Sequence, residues 1–489
     1  MSADGSASPL AIAPPHDLRA EQALLGAILF DNDAFNRIGD KLKPHHFYDP
    51  VHGRIFAACA DMIGKGKLAD GVTLRERFQR ESGLQEIGGA SYLLTLHENA
   101  ARMTSHARDY AEIIYELAVR RELIRVGNEI THLAIEPPKE LDAQGQIEAA
   151  EAKLYALAET GTTSRGFSAF SQALEASIES AAAAFDSGGG VSGLATGLID
   201  LDKKLGGLHK SDLIILAGRP GMGKTSLATN IAFNVAKARL EYNRRNPAED
   251  EKPEGGIVAF FSLEMSAEQL ATRLLSDAAD IEAYRIRTGD IRKEEYQRLV
   301  DTSQELHALP LHIDETGGIS IDHLMARARR LQRTHGLDLL IIDYLQLITA
   351  SARKSEGRVQ EVSEITQNLK ALAKELRVPV IALSQLSRQV ESRENKRPQL
   401  SDLRESGSIE QDADIVLFVY REHYYAMMSP PDINKNPDAH MEWVAFTGRI
   451  QNEAEVIISK QRHGSTGDVK LSFEGKFTRF GNLETRYGQ

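Results

Sequence analysis

The stretch GRPGMGKT, Gly218 to Thr225, fits the pattern G-x-x-x-x-G-K-[ST] at every required position. The apolar segment DLIILA precedes it and predicts a buried strand, and SLATNIAFNVAK follows it with the spacing of a helix. Between a strand and a helix, such glycines let backbone N–H groups surround phosphate oxygens at the helix N-terminus. A glycine-rich turn that binds nothing is the plain alternative, and both flanking segments argue against it. The stretch therefore predicts a phosphate-binding loop.

The loop supplies the first candidate site residues. Lys224 would neutralise the β- and γ-phosphates of a nucleotide, and the Thr225 hydroxyl would ligate Mg²⁺. The predicted nucleotide-binding set is Gly218, Arg219, Pro220, Gly221, Met222, Gly223, Lys224, Thr225 and Ser226. ATP and Mg²⁺ are accordingly the expected substrate and metal.

Length and composition limit the class of protein. A chain of 489 residues is too long for one hydrophobic core, so we expect two domains and a connector. Its single cysteine, Cys59, excludes an intrachain disulfide and a zinc module of cysteine pairs, which suits the cytoplasm. No secretory signal pattern or apolar run of ~20 residues is present, so no membrane is expected. The formal net charge of −12 argues against a broadly basic DNA-coating surface but permits a local basic groove.

The N-terminal part has only helical patterns. Residues 1–15 are rich in Ser, Ala and Pro and predict a disordered tail. Helices are expected over Leu18–Phe30, Val51–Ile63, Thr73–Gln79 and Ala90–Leu96, and over Ser105–Leu133 and Leu141–Glu159 as an antiparallel hairpin interrupted by two prolines. Residues 16–160 are therefore predicted to form an all-α interaction domain.

Three histidines of this domain, His45, His46 and His52, are the one group that suggests a metal site. No second cysteine or carboxylate pair completes a set of ligands around them. We therefore expect solvated or capping histidines.

Residues 161–190 predict a linker that contains a docking helix. Both ends are rich in Gly and Ser, and Phe170, Leu174, Ile178 and Phe185 fall near one face of the helix between them. A lone helix between flexible hinges cannot bury such a stripe on itself. It must dock on its own domains or on a neighbouring subunit, and composition leaves both open.

From residue 191 to 489 strands and helices alternate. Strands are expected over Leu213–Ala217, Ile257–Ser262, Leu311–Ile313, Leu339–Ile342, Val380–Leu383, Asp414–Tyr420 and Val456–Lys460, with a final hairpin near Val469–Phe480. Ser320 is expected to cap a helix that runs to about Arg333. The fold class is therefore α/β, a twisted, mostly parallel sheet covered on both faces, preceded by the all-α domain.

Polar residues follow three apolar strands where the chain leaves the sheet. Glu264 ends FFSLE, Asp343 ends LLIID and Gln385 follows VIALS. Ligands of open α/β sheets bind beyond the carboxyl ends of the strands. Asp343 is the expected partner of Mg²⁺ through water, Glu264 could activate the attacking water, and Gln385 could sense the γ-phosphate. Helix capping remains the alternative for Glu264.

The segment EVIISKQRHG places Lys460 and Arg462 two residues apart on a strand, with both side chains on one face. Such a pair could stabilise charge on a transferring phosphoryl group, in the same subunit or from a neighbour. A solvated edge strand explains the same charges equally well.

Positive charge is concentrated in RQVESRENKRPQLSDLR, which contains Arg388, Arg393, Lys396, Arg397 and Arg404. Ser406 and Gly407 follow, where backbone N–H groups can approach nucleic-acid phosphates closely. The absence of aromatic residues argues against base stacking. This stretch predicts a groove that binds a nucleic-acid backbone without sequence preference.

Five segments together resemble, in order, the helicase motifs of bacterial DnaB-type replicative DNA helicases. They are AGRPGMGKTS, FFSLEMSAEQLATRLL, DLLIIDYLQLI, VIALSQLSR and RPQLSDLRESGSIEQDADIVLFVYR. AEQALLGAIL near the start and TGLIDLDKKLGGL before the α/β domain are also typical of that family, so the resemblance covers nearly the whole chain.

The resemblance implies a RecA-like ATPase whose homohexameric ring encircles single-stranded DNA and unwinds the replication fork with 5′ to 3′ polarity. The positions that match the family's ATP and Mg²⁺ site are Lys224, Thr225, Glu264, Asp343 and Gln385. Lys460 and Arg462 match the pair that crosses the subunit interface, and Arg404, Glu405 and Gly407 match the loop that holds the DNA backbone. The N-terminal domain would contact primase and a helicase loader, and the linker helix would pack on the next subunit.

Two stretches depart from the family pattern. Residues 240–256 and 424–449 are extra and polar, and both are predicted as surface loops.

The nearest rival function is a recombination or repair ATPase of the RecA group that forms nucleotide-gated filaments on DNA. Its repair members that most resemble this motor usually carry a four-cysteine zinc module, which Cys59 alone cannot form. A non-enzymatic collar or loader is disfavoured because the full hydrolytic set is present.

Overall fold

The fold is described from a computed structural model over residues 13–38, 42–78, 90–99, 106–138, 142–160, 191–245, 247–248, 251, 253–350, 357–403 and 407–483, with scattered positions between 170 and 182. The chain divides into two compact units, residues 1–173 and 174–489. Most of the predicted tail, residues 1–12, lies outside the described residues. So does Phe185 of the predicted docking helix, of which Phe170, Leu174 and Ile178 are helical and exposed.

The first unit is helical throughout its described part. Its helices are α1 Leu18–Phe30, α2 Asp33–Ile38, α3 Pro50–Gly64, α4 Arg75–Phe78, α5 Ala90–Asn99, α6 Ala107–Ile135 and α7 Ala143–Thr160. The side chain of Asp17 caps α1 by accepting hydrogen bonds from two N–H groups of the first turn. Leu24, Leu25 and Ile28 are fully buried and pack with Ile55 in one core. Helices α6 and α7 pack together, which confirms the predicted hairpin.

His52 is buried, and this corrects the expectation of a solvated histidine. Its Nδ1 lies 2.7 Å from Glu21 Oε2, and its Nε2 lies 2.8 Å from the Tyr92 hydroxyl. Glu21 also accepts hydrogen bonds from the backbone N–H groups of Tyr48 and Asp49. The network satisfies these polar groups inside the core and ties α1, α3 and α5 together.

The second unit is built around one nine-stranded sheet. Its strands are β1 Leu213–Gly218, β2 Val258–Ser262, β3 Leu311–Asp314, β4 Leu339–Asp343, β5 Val380–Gln385, β6 Ile415–Tyr420, β7 Glu453–Gln461, β8 Gly467–Glu474 and β9 Arg479–Asn482. They lie in the order β3-β2-β4-β5-β1-β6-β7-β8-β9. The six strands from β3 to β6 are parallel, and the last three are antiparallel. The predicted fold class is confirmed.

Helices cover both faces of this sheet, so its central strands are buried on both sides. The helices are α8 Ile199–Leu205, α9 Lys224–Arg244, α10 Ala267–Ala279, α11 Ala283–Thr288, α12 Lys293–Leu306, α13 Ile321–Thr334, α14 Arg358–Leu376, α15 Gly407–Asp412, α16 Glu422–Met428 and α17 Pro437–Ile450. Every residue of β1, β2, β4 and β6 is buried, which explains their unbroken apolar sequences. Ser320 caps α13 as predicted, by accepting a hydrogen bond from the backbone N–H of His323.

The extra stretch at residues 424–449 is mostly helical, so the predicted surface loop is wrong there. Helices α16 and α17 pack together, with Tyr425 and Ile450 buried and Trp443 Nε1 donating to the carbonyl oxygen of Ala426 at 2.9 Å. Tyr425 belongs to the main hydrophobic core around the sheet, so this polar segment is anchored on the second unit. The other stretch begins as a continuation of α9 to Arg244 before it leaves the helix.

The hairpin of β8 and β9 returns to the start of α9. The backbone N–H of Phe480 donates to Asn230 Oδ1 at 2.8 Å, although 250 positions separate the two residues. The Phe480 and Phe473 rings stack at a tilt, 4.7 Å apart. No described helix has the length and apolar character needed to cross a bilayer.

Candidate active site

The predicted phosphate-binding loop leaves the middle of the sheet between β1 and α9. Gly221 and Gly223 have φ values of +80° and +96°, a region that glycine enters without strain. A Cβ atom on Gly221 would lie 2.9 Å from the Tyr424 ring, and one on Gly223 would lie 3.0 Å from the Phe480 ring. Both the backbone conformation and the close neighbours therefore require glycine.

Lys224 begins α9 and turns back over the loop. Its Nζ donates to the carbonyl oxygen of Gly218 at 2.7 Å. Burial lowers the pKa of Lys224 to about 8, and the Asp343 and Glu264 carboxylates oppose that shift. The amine is therefore mostly protonated at pH 7 and lies where a phosphate would favour its charged form.

The three predicted strand-end residues meet at the carboxyl edge of neighbouring strands. Asp343 of β4 pairs with the last residue of β2, two positions before Glu264, and Gln385 of β5 pairs with Gly218 of β1. Because β2, β4, β5 and β1 are consecutive in the sheet, these side chains lie in a row beside the loop. Glu264 is exposed, whereas Asp343 is only 2 % exposed.

Asp343 carries an oxygen without a protein partner. Its side chain is hydrogen-bonded to Thr225, yet Oδ2 is buried and has no hydrogen-bond partner. Burial raises the pKa of Asp343 and Glu264 raises it further, while the Thr225 bond and the cations Lys224 and Arg273 lower it. A buried carboxylate oxygen that has no hydrogen-bond partner in the protein is suited to contact a bound ligand.

Two neighbours of the site were missed from the sequence. Arg273 of α10 interacts electrostatically with Asp343 and Glu264, and burial lowers the pKa of its guanidinium. Gln346 donates from Nε2 to Ser384 Oγ at 3.0 Å, and its Oε1 lies 3.5 Å from the backbone nitrogen of Gln385. For Arg273, the available signal was a cation two turns into the helix that follows Glu264.

Some side chains of the predicted nucleotide-binding set face the protein instead of the loop's concave side. Arg219 donates from Nε to Glu391 at 2.8 Å and from a terminal nitrogen to the carbonyl oxygen of Leu386 at 2.9 Å. The side chains of Met222 and Ser226 are buried. These three residues can offer a phosphate only their backbone N–H groups.

Lys460 and Arg462 lie near the amino ends of the parallel strands, whereas the phosphate-binding loop lies at their carboxyl ends. Lys460 pairs with Val416 near the start of β6, and β6 begins level with Ile214 of β1. Gly218 is four residues further along β1, roughly 13 Å away at about 3.3 Å per residue. Neither cation can therefore reach the phosphate-binding loop of its own chain.

The predicted DNA-binding residues are only partly described. Arg404 and Glu405 lie outside the described residues, and Gly407 is the first residue of α15.

The expectation of an unpaired basic groove is wrong for three of its cations. Arg393 pairs with Asp402 at 2.6 Å, and Arg397 pairs with one carboxylate of β7 and one of β8. Lys396 stands over a tyrosine ring of α16 at 5.2 Å. These charges are neutralised or covered within the unit, whereas Arg388 is exposed.

Two family patterns match this chain. The description "DnaB-like helicase N terminal domain" fits residues 13–116, and "DnaB-like helicase C terminal domain" fits residues 193–482. The chain belongs to the DnaB-like helicase family. Membership of this family confirms the family and the enzyme class predicted from the motifs, an ATP-dependent DNA helicase that acts in replication.

Relatives in the DnaB-like family match over almost their whole length. "Replicative DNA helicase DnaB" of Rickettsia conorii (strain ATCC VR-613 / Malish 7) is 47% identical over 473 residues, which are 96% of this chain and 94% of the relative. The protein of the same name from Geobacillus stearothermophilus is 39% identical over 476 residues, 97% of this chain and 96% of the relative. A solved structure of "a DnaB-like replicative helicase and its interactions with primase" is 30% identical with a TM-score of 0.68, covering 96% of this chain and 100% of its own.

Proposed function

We propose that the chain is one subunit of a cytoplasmic homohexameric ring that hydrolyses ATP, moves 5′ to 3′ on single-stranded DNA and unwinds the replication fork. The observation that carries this proposal is the row of Glu264, Asp343 and Gln385 beside the phosphate-binding loop. A nucleotide-dependent motor needs these chemical functions together in one place.

Each residue of the row has a role that its surroundings support. Lys224 and the backbone N–H groups of residues 218–226 would hold the phosphates, since the amine already bonds to a loop carbonyl. The exposed Glu264 carboxylate would accept a proton from the attacking water. Gln385 would contact the γ-phosphate, and Arg273 would balance the two carboxylates beside it.

Thr225 and Asp343 fit a Mg²⁺ ion. Within the described residues no group of three or more His, Cys, Asp or Glu could hold a metal, so the ion would rely on nucleotide and water as well. The buried Oδ2 of Asp343 without a partner and the adjacent Thr225 hydroxyl are oxygen donors of the kind that Mg²⁺ prefers. When bound, Mg²⁺ would neutralise charge on the β- and γ-phosphates.

Catalysis would use two neighbouring protomers. Lys460 and Arg462 lie at the wrong edge of the sheet to serve their own loop, yet they are the cations expected at a transferring phosphoryl group. In a head-to-tail ring, the edge that carries these cations can face the loop of the next protomer. Each ATP would then lie between one protomer's loop and its neighbour's cations.

The remaining parts serve binding. Arg404, Glu405 and Gly407 would hold the DNA backbone, and the helical N-terminal unit would bind primase and a helicase loader. A solved relative of this family is described with primase, which supports that partner. The exposed Phe170, Leu174 and Ile178 would pack on the next subunit of the ring.

A forked duplex with a 5′ tail tests the proposed activity. The purified protein should separate its strands in an ATP-dependent reaction that can be followed by fluorescence, and should leave a fork with only a 3′ tail intact. Glu264→Gln protein provides the control for hydrolysis. A protein that binds the tail and hydrolyses ATP without separating strands would be a filament-forming ATPase of the RecA group.

Replacing Arg404 with alanine should weaken binding of single-stranded DNA to a similar degree for every sequence. One lost phosphate contact should lower the salt dependence of binding by about 0.7 in slope. Fluorescence anisotropy with several oligonucleotides and salt concentrations measures both effects. Arg388→Ala, in the same basic stretch, is the matched control. A loss confined to particular bases would contradict backbone binding.

A further inference from the structure

The head groups of Lys460 and Arg462 both bond to carbonyl groups at the C-terminal end of α15, which ends at Asp412. Lys460 Nζ donates to the carbonyl oxygens of Glu410 at 2.5 Å and Ala413 at 2.8 Å. Arg462 donates from a terminal nitrogen to the carbonyl oxygen of Gln411 at 2.9 Å. A helix leaves such carbonyls without intrahelical partners, and its C-terminal end favours a cation. The two side chains therefore cap a helix.

Asp414, the residue before β6, holds Arg462 from a second direction. Its Oδ1 lies 3.4 Å from an Arg462 terminal nitrogen, and its carbonyl oxygen accepts the Arg462 backbone N–H. Its Oδ2 accepts the backbone N–H of Leu213 at 2.8 Å and a bond from Lys370. Asp414 is 3% exposed, so water screens its charge little. The carboxylate thus fixes Arg462 relative to β1 and α14.

We propose that Asp414 and the last turn of α15 position Lys460 and Arg462 for the ATP of the neighbouring protomer and transmit DNA binding to that site. This inference rests on the proposed ring and its shared ATP sites. Gly407, assigned above to the DNA backbone, is the first residue of α15. A displacement of Gly407 on DNA binding would shift α15 and the three carbonyls at its end, and the two cations would move with them.

Both cations keep donors for a phosphate while they are held in this way. A lysine has three N–H donors and an arginine has five, and each side chain uses two of them in these contacts. Burial lowers the pKa of Lys460, and the nearby Arg462 lowers it further. An incoming phosphate would offset that repulsion. The α15 turn sets the position of the pair without using up its charge.

The coupling acts in both directions. If DNA on one protomer changes its neighbour's affinity for ATP by shifting the cations, then ATP in that site must change the first protomer's affinity for DNA by the same factor. A positioning role for Asp414 therefore predicts changes in both hydrolysis and nucleotide-dependent DNA binding.

Asp414→Asn tests this role, because asparagine keeps an oxygen for the Leu213 N–H but removes the charge that holds Arg462. The kcat of ATP hydrolysis with single-stranded DNA should fall roughly 10- to 100-fold, since a misplacement of about 1 Å can cost on the order of 100-fold. The KM for ATP should change much less than kcat, because the phosphate-binding loop is intact in every subunit. Stimulation by DNA should fall toward none. Unchanged kcat and unchanged stimulation would overturn the proposal.

Mixed rings locate the defect. Asp414→Asn subunits mixed with Glu264→Gln subunits should regain DNA-stimulated hydrolysis, because some interfaces then combine an intact loop with well-positioned cations. The Asp414→Asn mixture could fail to recover while a mixture of Arg462→Ala and Glu264→Gln subunits does recover. The defect would then lie in the ATP site of the Asp414→Asn subunit itself, reached through β1. That result would overturn this inference but not the proposed shared ATP sites. No recovery in either mixture would overturn the proposed shared sites.

A second variant covers the case in which Asp414→Asn does not fold. Asp414→Asn/Lys370→Met removes both members of the buried ion pair, so no uncompensated charge remains, and should show the same loss of kcat and the same recovery. Lys370→Met alone leaves the Asp414–Arg462 contact in place and should retain stimulation by DNA. An equal loss in that control would indicate general loosening and contradict the positioning role.

Discussion

Replacing Lys224 with alanine should reduce ATP hydrolysis by on the order of 100- to 1,000-fold, the usual cost of removing one donor aimed at developing charge. The amine lies over the loop, bonded to the Gly218 carbonyl, whereas the Arg219 side chain of the same loop is bonded to Glu391 and Leu386. Its pKa of about 8 reflects burial that a bound phosphate would counterbalance. Strand separation should be lost together with hydrolysis. Steady-state ATPase and forked-duplex assays measure the two effects.

The control for this variant lies on the same helix. Lys237→Ala removes an exposed lysine of α9 whose Nζ is 3.9 Å from Glu241, and hydrolysis should remain normal. Circular dichroism should find the helical unit folded in both variants, because its core is separate. A nucleotide should raise the melting temperature of Lys237→Ala protein much more than that of Lys224→Ala protein. Retained hydrolysis without Lys224 would refute its assigned role.

Mixing two inactive proteins should restore activity. Arg462→Ala subunits keep their own loop and strand-end residues, and Glu264→Gln subunits keep their cations. In a random equal mixture roughly a quarter of head-to-tail interfaces combine both intact halves, so ATPase activity should rise far above either parent. The physical reason is that Lys460 and Arg462 lie at the edge of the sheet away from their own loop.

A matched mixture separates this effect from simple reassembly. Glu264→Gln and Lys224→Ala both damage the loop side of a site, so a mixture of these two should stay inactive at every ratio. Activity titrated against subunit ratio measures both mixtures. If the Arg462→Ala mixture also stayed inactive, the ATP site would belong to one chain, and the assignment of both cations would be wrong.

The sheet and the row of strand-end residues were predictable because each depends on local pattern. Strands buried on both faces have unbroken aliphatic sequences, and the predicted ends at Ser262, Ile342 and Leu383 lie within two residues of the observed ends at Ser262, Asp343 and Gln385. Parallel pairing of the strands then brings their carboxyl ends together, regardless of the helices that connect them. The loop was predictable for the same reason, since its glycine positions follow directly from its backbone conformation.

The wrong or missed predictions concern residues whose environment depends on partners far away in the sequence. His52 is buried because Glu21, 31 positions away, satisfies it. Arg397 is paired with β7 and β8, which lie far along the chain. The helices of residues 424–449 are held by Tyr425, which packs into the main core around the sheet, a contact that the polar composition of the segment concealed. Arg273 needed the helix to be placed before its proximity to two carboxylates became evident.

The return of the last hairpin to α9 also bears on how the protein is made. Phe480 packs beside Gly223 and bonds to Asn230, so a wall of the loop comes from far later in the chain. A ribosome has already released the strand and helix on either side of the loop long before it reaches Phe480. Nascent chains shorter than this can assemble the N-terminal helices but hold only an open-sided loop. The phosphate-binding loop therefore gains this wall only after Phe480 has been synthesised.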